Sequence, residues 1–379
     1  MQEENKILIT HFGARGASVG DKQVLNLVER LKNKGYAFFL LSDNENLLNE
    51  FEKRDWFGRG FWLGEGNQFL FAVLYVLSVI SATYALIYFK LKYKTDKIFC
   101  LTLPDKLIMT PIAKLLDYKI VWQENESIKP VLVAPVYRFF YNWLAKYATV
   151  VASFEFIRAE VKTNCPSGDY RVILPGIDAE LYKKQADLFE MMADKSDFTK
   201  ADRFCVGCIS DLAPGCGVEY LIKAMALLGN ENSDVELLIA SDGASRGDLD
   251  WLVEQLNLVG RVKFVGYDGN PLGWMKNFDV FVETGNAPIT LIEAMACEKP
   301  VISVGGEEIV ENGASGLVCP RLMSGVSGAE PQELADAILK IKKDPALAMQ
   351  MAVGARQAVE KRFGLERMAG EYMSVFEGT

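Results

Sequence analysis

The 379 residues are half hydrophobic and 24% charged, enough material for two cores, so two domains are expected. A formal net charge of −9 argues against general nucleic-acid binding. Seven cysteines are too few for a disulfide framework, and the polar start MQEENKILIT enters a strand without a signal peptide, so a reducing cytoplasm is the expected setting.

In chain order, short β-branched runs alternate with amphipathic stretches, the pattern of repeated βα units. Strands are predicted at residues 6–10, 37–42, 97–102, 119–123, 149–153 and 171–175, and then at 204–210, 236–241, 262–266, 279–283, 301–304 and 316–319. A polar segment from Tyr182 to Arg203 reads as the linker between the two sets. The expected fold class is α/β, with two Rossmann-like doubly wound domains.

From Phe69 to Phe89 the chain carries 21 residues without a charge, followed by Lys90, Lys92 and Lys94. That length suffices for a membrane span. A span would, however, part the early strands from the later ones they must pair with. A buried helix and a helix lying in the plane of a membrane are the other two readings. The stretch from Leu86 to Val150 holds ten basic and five acidic residues, opposite in sign to the whole chain, and Tyr137 to Trp143 adds a run of aromatics suited to a headgroup boundary. Those aromatics read equally well as core.

The most informative stretch is VFVETGNAPITLIEAMACEKPVISVGGEEIVENGASGLVCP, from Val280 to Pro320. A strand enters a Gly-Asn-Ala-Pro turn and a helix follows. In a parallel sheet such a turn lies at a carboxyl end, where helix N-termini present N–H groups to anions. Pro288 suits the first helical position. Glu293, one or two turns in, is placed to accept from two adjacent hydroxyls, as on a ribose. These features point to a nucleotide-like ligand.

The run Leu291-Ile292-Glu293-Ala294-Met295-Ala296-Cys297, with Lys299-Pro300-Val301-Ile302, Gly305-Gly306, Glu308-Ile309-Val310, Gly313 and Gly316-Leu317-Val318, closely resembles the donor-binding half of family-4 retaining glycosyltransferases. Val206-Gly207, Gly217 to Ile222, LLIASDG at 237–243 and VILPGID at 172–178 extend the likeness, which is loose only over roughly the first 145 residues. The resemblance implies the GT-B fold, two Rossmann-like domains facing across a cleft. Its expected boundaries are an acceptor-side domain at 1–181, a donor domain at 204–360 and a terminal helix at 361–379 packing back on the first. It also implies transfer of a sugar, with retention, from a UDP- or GDP-linked donor to a glycan or lipid-linked acceptor. No metal and no separate cofactor are expected. Its donor contacts map to Gly207, Cys208, Cys216, Ile289, Thr290, Leu291 and Glu293. Arg15 and Gly16, in the Gly13 to Gly20 loop, correspond to a segment near the donor phosphates.

The chain departs from that pattern in four places. The family holds the diphosphate with Arg and Lys, where this chain has Cys208 and Cys216; charge-assisted bonds contribute roughly 1.5–3 kcal/mol each. On that alignment, Cys208→Arg with Cys216→Lys is expected to restore diphosphate affinity. The first Glu of the family's E-x7-E pair falls on Gly285, with Glu283 upstream as a substitute only if the loop is rearranged. Asn125 aligns with the usual first-domain His; it donates a hydrogen bond but does not titrate. Asn125, Glu124 and Glu283 are therefore the candidate catalytic residues, and a catalytically inactive scaffold that binds a nucleotide, glycan or partner transferase is the alternative. His11, the one histidine, reads as structural. Gly13, Gly16 and Gly20 do not form the dinucleotide fingerprint. Cys205 and Cys208, three apart on a strand, point to opposite faces and make a poor zinc pair.

Overall fold

A computed structural model describes the chain apart from residues 1–4, 13–18, 61–67, 129–133, 185–202, 211, 267–270, 286, 323–326 and 379, and the side chains of 19, 68–76, 271 and 272. The chain divides into two units, Met1–Gly176 with Leu365–Thr379, and Ile177–Gly364.

The first unit holds seven parallel strands: β1 (Asn5–His11), β2 (Tyr36–Ser42), β3 (Phe57–Gly60), β4 (Lys97–Cys100), β5 (Lys119–Glu124), β6 (Ala148–Ala152) and β7 (Asp169–Val172), in the order β3-β2-β1-β4-β5-β6-β7. The second holds six: β8 (Phe204–Cys208), β9 (Val235–Ile239), β10 (Val262–Phe264), β11 (Val280–Glu283), β12 (Val301–Val304) and β13 (Leu317–Cys319), in the order β10-β9-β8-β11-β12-β13. Strands covered on both faces read as unbroken apolar runs. Every residue of β9, β11 and β12 is buried, and so are all four of β4. All twelve expected strands are present, with ends shifted by a few residues. β3 was not expected; its sequence FGRG has no apolar run, and all four residues are exposed.

Both strand orders reverse at one place, between β1 and β4 in the first sheet and between β8 and β11 in the second. At such a switch the flanking loops diverge, one to each face, and leave a crevice beyond the carboxyl ends. The second core gathers Val206, Leu221, Val282, Ile302 and Ile338 about β8. The first gathers Ile7, Ile9, Phe99 and Val121, and is completed by the last helix, Leu365–Glu377. That helix buries Leu365, Met368, Ala369, Tyr372, Val375 and Phe376, the spacing of a single apolar stripe. Tyr372 and Phe376 meet the Phe99 ring edge-on, at centroid separations of 5.7 and 5.6 Å. The Tyr372 hydroxyl donates to Gln123 Oε1 on β5.

The uncharged run forms the helix Gln68–Tyr93. The transmembrane reading fails on topology. β1, which precedes this helix, is hydrogen-bonded in register to β4, which follows it, so a span would separate paired strands. Among the described residues no helix is long and apolar enough to cross a membrane. The buried-helix reading holds for one face only. Ala82, Ala85, Leu86 and Phe89 are buried, whereas Leu77, Ile80, Tyr84, Ile87 and Leu91 are exposed.

Candidate functional site

At the second sheet's switch point the turn after β11 is organised by Glu283. Its carboxylate is buried, with one oxygen accepting from the N–H groups of Gly285 (2.6 Å) and Ala287 (3.0 Å) and the other from the Ser303 hydroxyl (2.9 Å) on β12, its register partner. In this conformation the acceptor capacity of Glu283 goes into shaping the turn, so a catalytic role for it requires a rearranged loop. Thr284 donates to the carbonyl of Cys216 at 2.8 Å and ties this turn to the loop after β8. Gly285 takes φ +104°, which side-chain-bearing residues rarely adopt. A Cβ there would stand 3.2 Å from the Arg321 guanidinium. The family's Glu at this position is thus replaced by a conformation that only Gly takes readily.

The helix Pro288–Ala296 starts from this turn, with Pro in its first turn and no side-chain cap on Ala287. Ile289, Thr290 and Leu291 bury their side chains. What Ile289 and Thr290 offer a ligand is main-chain N–H, which helix geometry leaves without intrahelical partners in the first turn; the Leu291 N–H is bonded to the Ala287 carbonyl at 3.1 Å. Glu293 is buried in the same helix, and one of its oxygens accepts from the Tyr182 hydroxyl at 3.0 Å. Burial, with the Glu293 charge beside it, pushes the Tyr182 phenol far up, so it remains a donor.

The loop after β8 supplies backbone and no thiol. Cys208 and Cys216 both lie in the apolar core of this unit. Burial raises the Cys208 pKa well above the ordinary thiol value. The two thiols are buried and do not reach a ligand in this conformation, and the Cys216 thiol lies 3.9 Å from Glu219 Oε2. Gly207 likewise serves packing. A Cβ on it would fall 2.0 Å from the Phe278 ring, so the ring occupies the space a ligand-facing side chain would need. Gly217, at φ +84°, precedes the helix Val218–Leu227; a Cβ there would meet Thr284 O at 2.8 Å and Gly328 N at 2.9 Å. The loops after β8, β11 and β13 therefore converge at this edge.

Arg321, half-buried just beyond β13, was missed. Its Nη2 donates to the carbonyls of Gly285 (3.0 Å) and Val304 (3.4 Å), while Nε and Nη1 have no partner among the described residues. No motif marks it; only the meeting of β13 with the β11 turn makes it a neighbour. Tyr182 was missed for the same reason, standing in a polar segment that reads as linker.

In the first unit Glu124 is committed to the core. It forms a buried ion pair with Lys106 at 2.7 Å and accepts from the Tyr141 hydroxyl at 2.7 Å, locking β5 to the helices Leu103–Leu115 and Pro135–Ala145. Asn125, one residue on, is half-buried. Its Oδ1 accepts from Gln123 Nε2 (2.7 Å) and Ser153 Oγ (2.6 Å), which fixes the amide with Nδ2 unpartnered among the described residues. Asn125 is therefore a preset hydrogen-bond donor beyond the carboxyl end of β5.

Arg15 and Gly16 lie outside the described residues. His11, at the carboxyl end of β1, is buried with Nε2 3.1 Å from Asp21 Oδ1. Burial works against its charged form but is outweighed by the Asp21 hydrogen bond and by the charges of Asp21, Asp105 and Asp43, so its pKa is raised. Among the described residues no group of His, Cys, Asp and Glu side chains could hold a metal ion.

Residues 203–344 match the family model described as glycosyl transferases group 1. The chain is 26% identical over 217 residues to the N-acetyl-alpha-D-glucosaminyl L-malate synthase of Bacillus anthracis, covering 56% of this chain and 54% of that one. It is 27% identical over 213 residues to the alpha-D-kanosaminyltransferase of Streptomyces kanamyceticus, covering 52% and 51%. The chain thus spans about half the length of the curated relatives it matches. Among solved structures, HepE of Anabaena in complex with UDP superposes with a TM-score of 0.80 over 99% of this chain and 100% of its own, at 20% identity. The two doubly wound sheets are those of the GT-B fold.

Proposed function

We propose that this chain is a glycosyltransferase. It takes a nucleoside-diphosphate sugar, UDP- or GDP-linked, at the switch point of the second sheet, and transfers the sugar with retention to a hydroxyl of a glycan or lipid-linked acceptor. The observation that carries this reading is the Glu283-braced turn, which leaves the N-terminus of the helix Pro288–Ala296 uncapped by any side chain, with Glu293 one and a half turns behind it. The family model matched over this unit and the motif run from Leu291 to Val318 support it.

In this reading the diphosphate lies against the first-turn N–H groups of Ile289 and Thr290, where the helix dipole favours negative charge. Arg321 supplies the cation that Cys208 and Cys216 do not. Charge grows on the diphosphate as the glycosidic bond to it breaks, so fixed donors already aimed at it lower the barrier. Glu293 takes the ribose hydroxyls, in exchange with or alongside Tyr182. In the first unit Asn125 presents a fixed amide donor suited to a sugar hydroxyl.

Titration calorimetry with UDP, GDP and their sugar conjugates tests the assignment, UDP coming first because HepE is solved with it. One base should bind at micromolar concentration. Glu293→Ala should weaken it at least tenfold, and Arg321→Ala by roughly ten- to a hundredfold, the range of one charge-assisted bond. Absence of binding at millimolar ligand for both bases sinks the reading.

A further inference from the structure

Three helices of the first unit, Gln68–Tyr93, Leu103–Leu115 and Pro135–Ala145, pack in sequence, the second touching both others. Together they leave an apolar surface uncovered. The first exposes Leu77, Ile80, Tyr84, Ile87 and Leu91, spaced alternately by three and four residues along one stripe, with Leu91 77% exposed. The third exposes Val136, Phe139, Phe140 and Trp143, with Phe139 66% exposed, and Leu115 at the end of the middle helix is 86% exposed.

Cations join the ends of these helices. Lys90 Nζ lies 4.8 Å from the Tyr118 ring centroid and donates to the Asp117 carbonyl just past the middle helix. Lys114 stands over the Tyr147 ring at 5.8 Å, and Lys146 over the Tyr147 and Trp143 rings at 4.9 and 5.8 Å. Lys92 caps the Tyr88 ring at 5.1 Å. The surface therefore pairs exposed aromatic and aliphatic groups with a rim of ammonium groups, on a chain whose net charge is −9.

We propose that this three-helix face docks, without spanning, on an anionic phospholipid bilayer. A helix that is apolar all round needs an apolar medium on both sides, and here the protein supplies only one. Aromatic rings with adjacent Lys suit the boundary between acyl chains and headgroups, the rings seated among the chains and the ammoniums on phosphate. The local excess of positive charge favours acidic headgroups over the neutral bilayer, and it opposes pairing of this face with the same face of a second copy, where ammonium would meet ammonium. Nothing in this proposal depends on the transferase reading, and its test uses no nucleotide.

The full-length protein is mixed with vesicles of phosphatidylcholine alone, or of phosphatidylcholine with phosphatidylglycerol, and floated on a density gradient. It should rise with the anionic vesicles, less so as salt shortens the screening length, and remain behind with the neutral ones. A Lys92→Gln, Lys114→Gln, Lys146→Gln triple variant should lose at least tenfold in partitioning, and so should Phe139→Ser with Trp143→Ser. All five residues are exposed, so an unchanged thermal melt shows the variants are folded. Brominated acyl chains should quench emission from the wild type more than from Trp143→Phe. The proposal is overturned by equal flotation with neutral vesicles, by variants that float like the wild type, or by a stable dimer that Phe139→Ser with Trp143→Ser dissociates while vesicle binding is absent.

Discussion

Glu283 accepts three hydrogen bonds at one turn, so its truncation reaches well beyond one side chain. Glu283→Ala leaves two N–H groups and a buried hydroxyl to find new partners, at about 1–3 kcal/mol each where none is found. The expected outcome is a loss of about 2–4 kcal/mol in urea unfolding of the second unit, together with weaker nucleotide binding; unchanged stability would mean the turn is held by other contacts. His11 offers a test in pH. Its folded pKa is raised above the unfolded value of 6.5. The pair with Asp21 therefore stabilises fully below the unfolded pKa, and that contribution is lost as pH rises through the folded one. His11→Gln should lower the melting temperature more at about pH 5.5 than at about pH 8.5. The opposite ordering would show that the imidazole is held neutral. Side-chain direction was the least legible property at this scale. Cys208 and Cys216 stand in the loop the motif indicates, but whether a side chain faces crevice or core depends on register against β9 and β11. Glu283 was visible as a carboxylate near the turn, yet its bonds to Gly285 and Ala287 arise only once Gly285 takes its left-handed conformation.

At the scale of elements, residues 179–184 are helical and carry Tyr182 to Glu293, so part of the segment expected to be a linker packs against the donor helix. Arg356 strengthens this attachment, donating to the carbonyls of Ala179 (2.8 Å) and Ala296 (3.0 Å) from a buried position. Tyr182→Phe keeps the ring and removes the hydroxyl, so Glu293 loses a partner that competes with a ribose. Nucleotide affinity should rise by up to roughly ten- to a hundredfold, the range of one hydrogen bond to a charged group. A fall would show instead that the hydroxyl itself contacts the ligand. Strands were legible because parallel strands covered on both faces cannot avoid apolar runs. β3 escaped because an edge strand with exposed residues is under no such constraint, and its FGRG sequence reads as a turn. The convergence of three loops at Gly217, Thr284 and Gly328 joins residues far apart in the chain, and no local pattern announces it.

For the molecule as a whole, the two-sheet architecture follows from βα alternation, and the strand orders supply the switch points that alternation alone does not fix. The chain enters the second unit at Ile177 and leaves it at Gly364, where the Ile177 N–H donates to the Phe363 carbonyl at 2.8 Å. A protein ending at Gly364 would retain every strand of both sheets but uncover Phe99 and its neighbours. Its urea unfolding should show an intact transition for the second unit and a weakened or absent one for the first; loss of both together would mean that the units do not fold separately.

The terminal helix also sets the order in which the chain can mature on the ribosome. Although the first sheet precedes the second unit in the chain, Ile9, Phe99 and Val121 wait for Tyr372 and Phe376, which follow that unit. The second unit, contiguous in sequence, is complete beforehand. Vectorial synthesis thus finishes the later half before the earlier one, and the nascent first unit holds an unsealed apolar face through the translation of 188 intervening residues, from Ile177 to Gly364. It is during that interval, more than after release, that the chain would need a chaperone's cover.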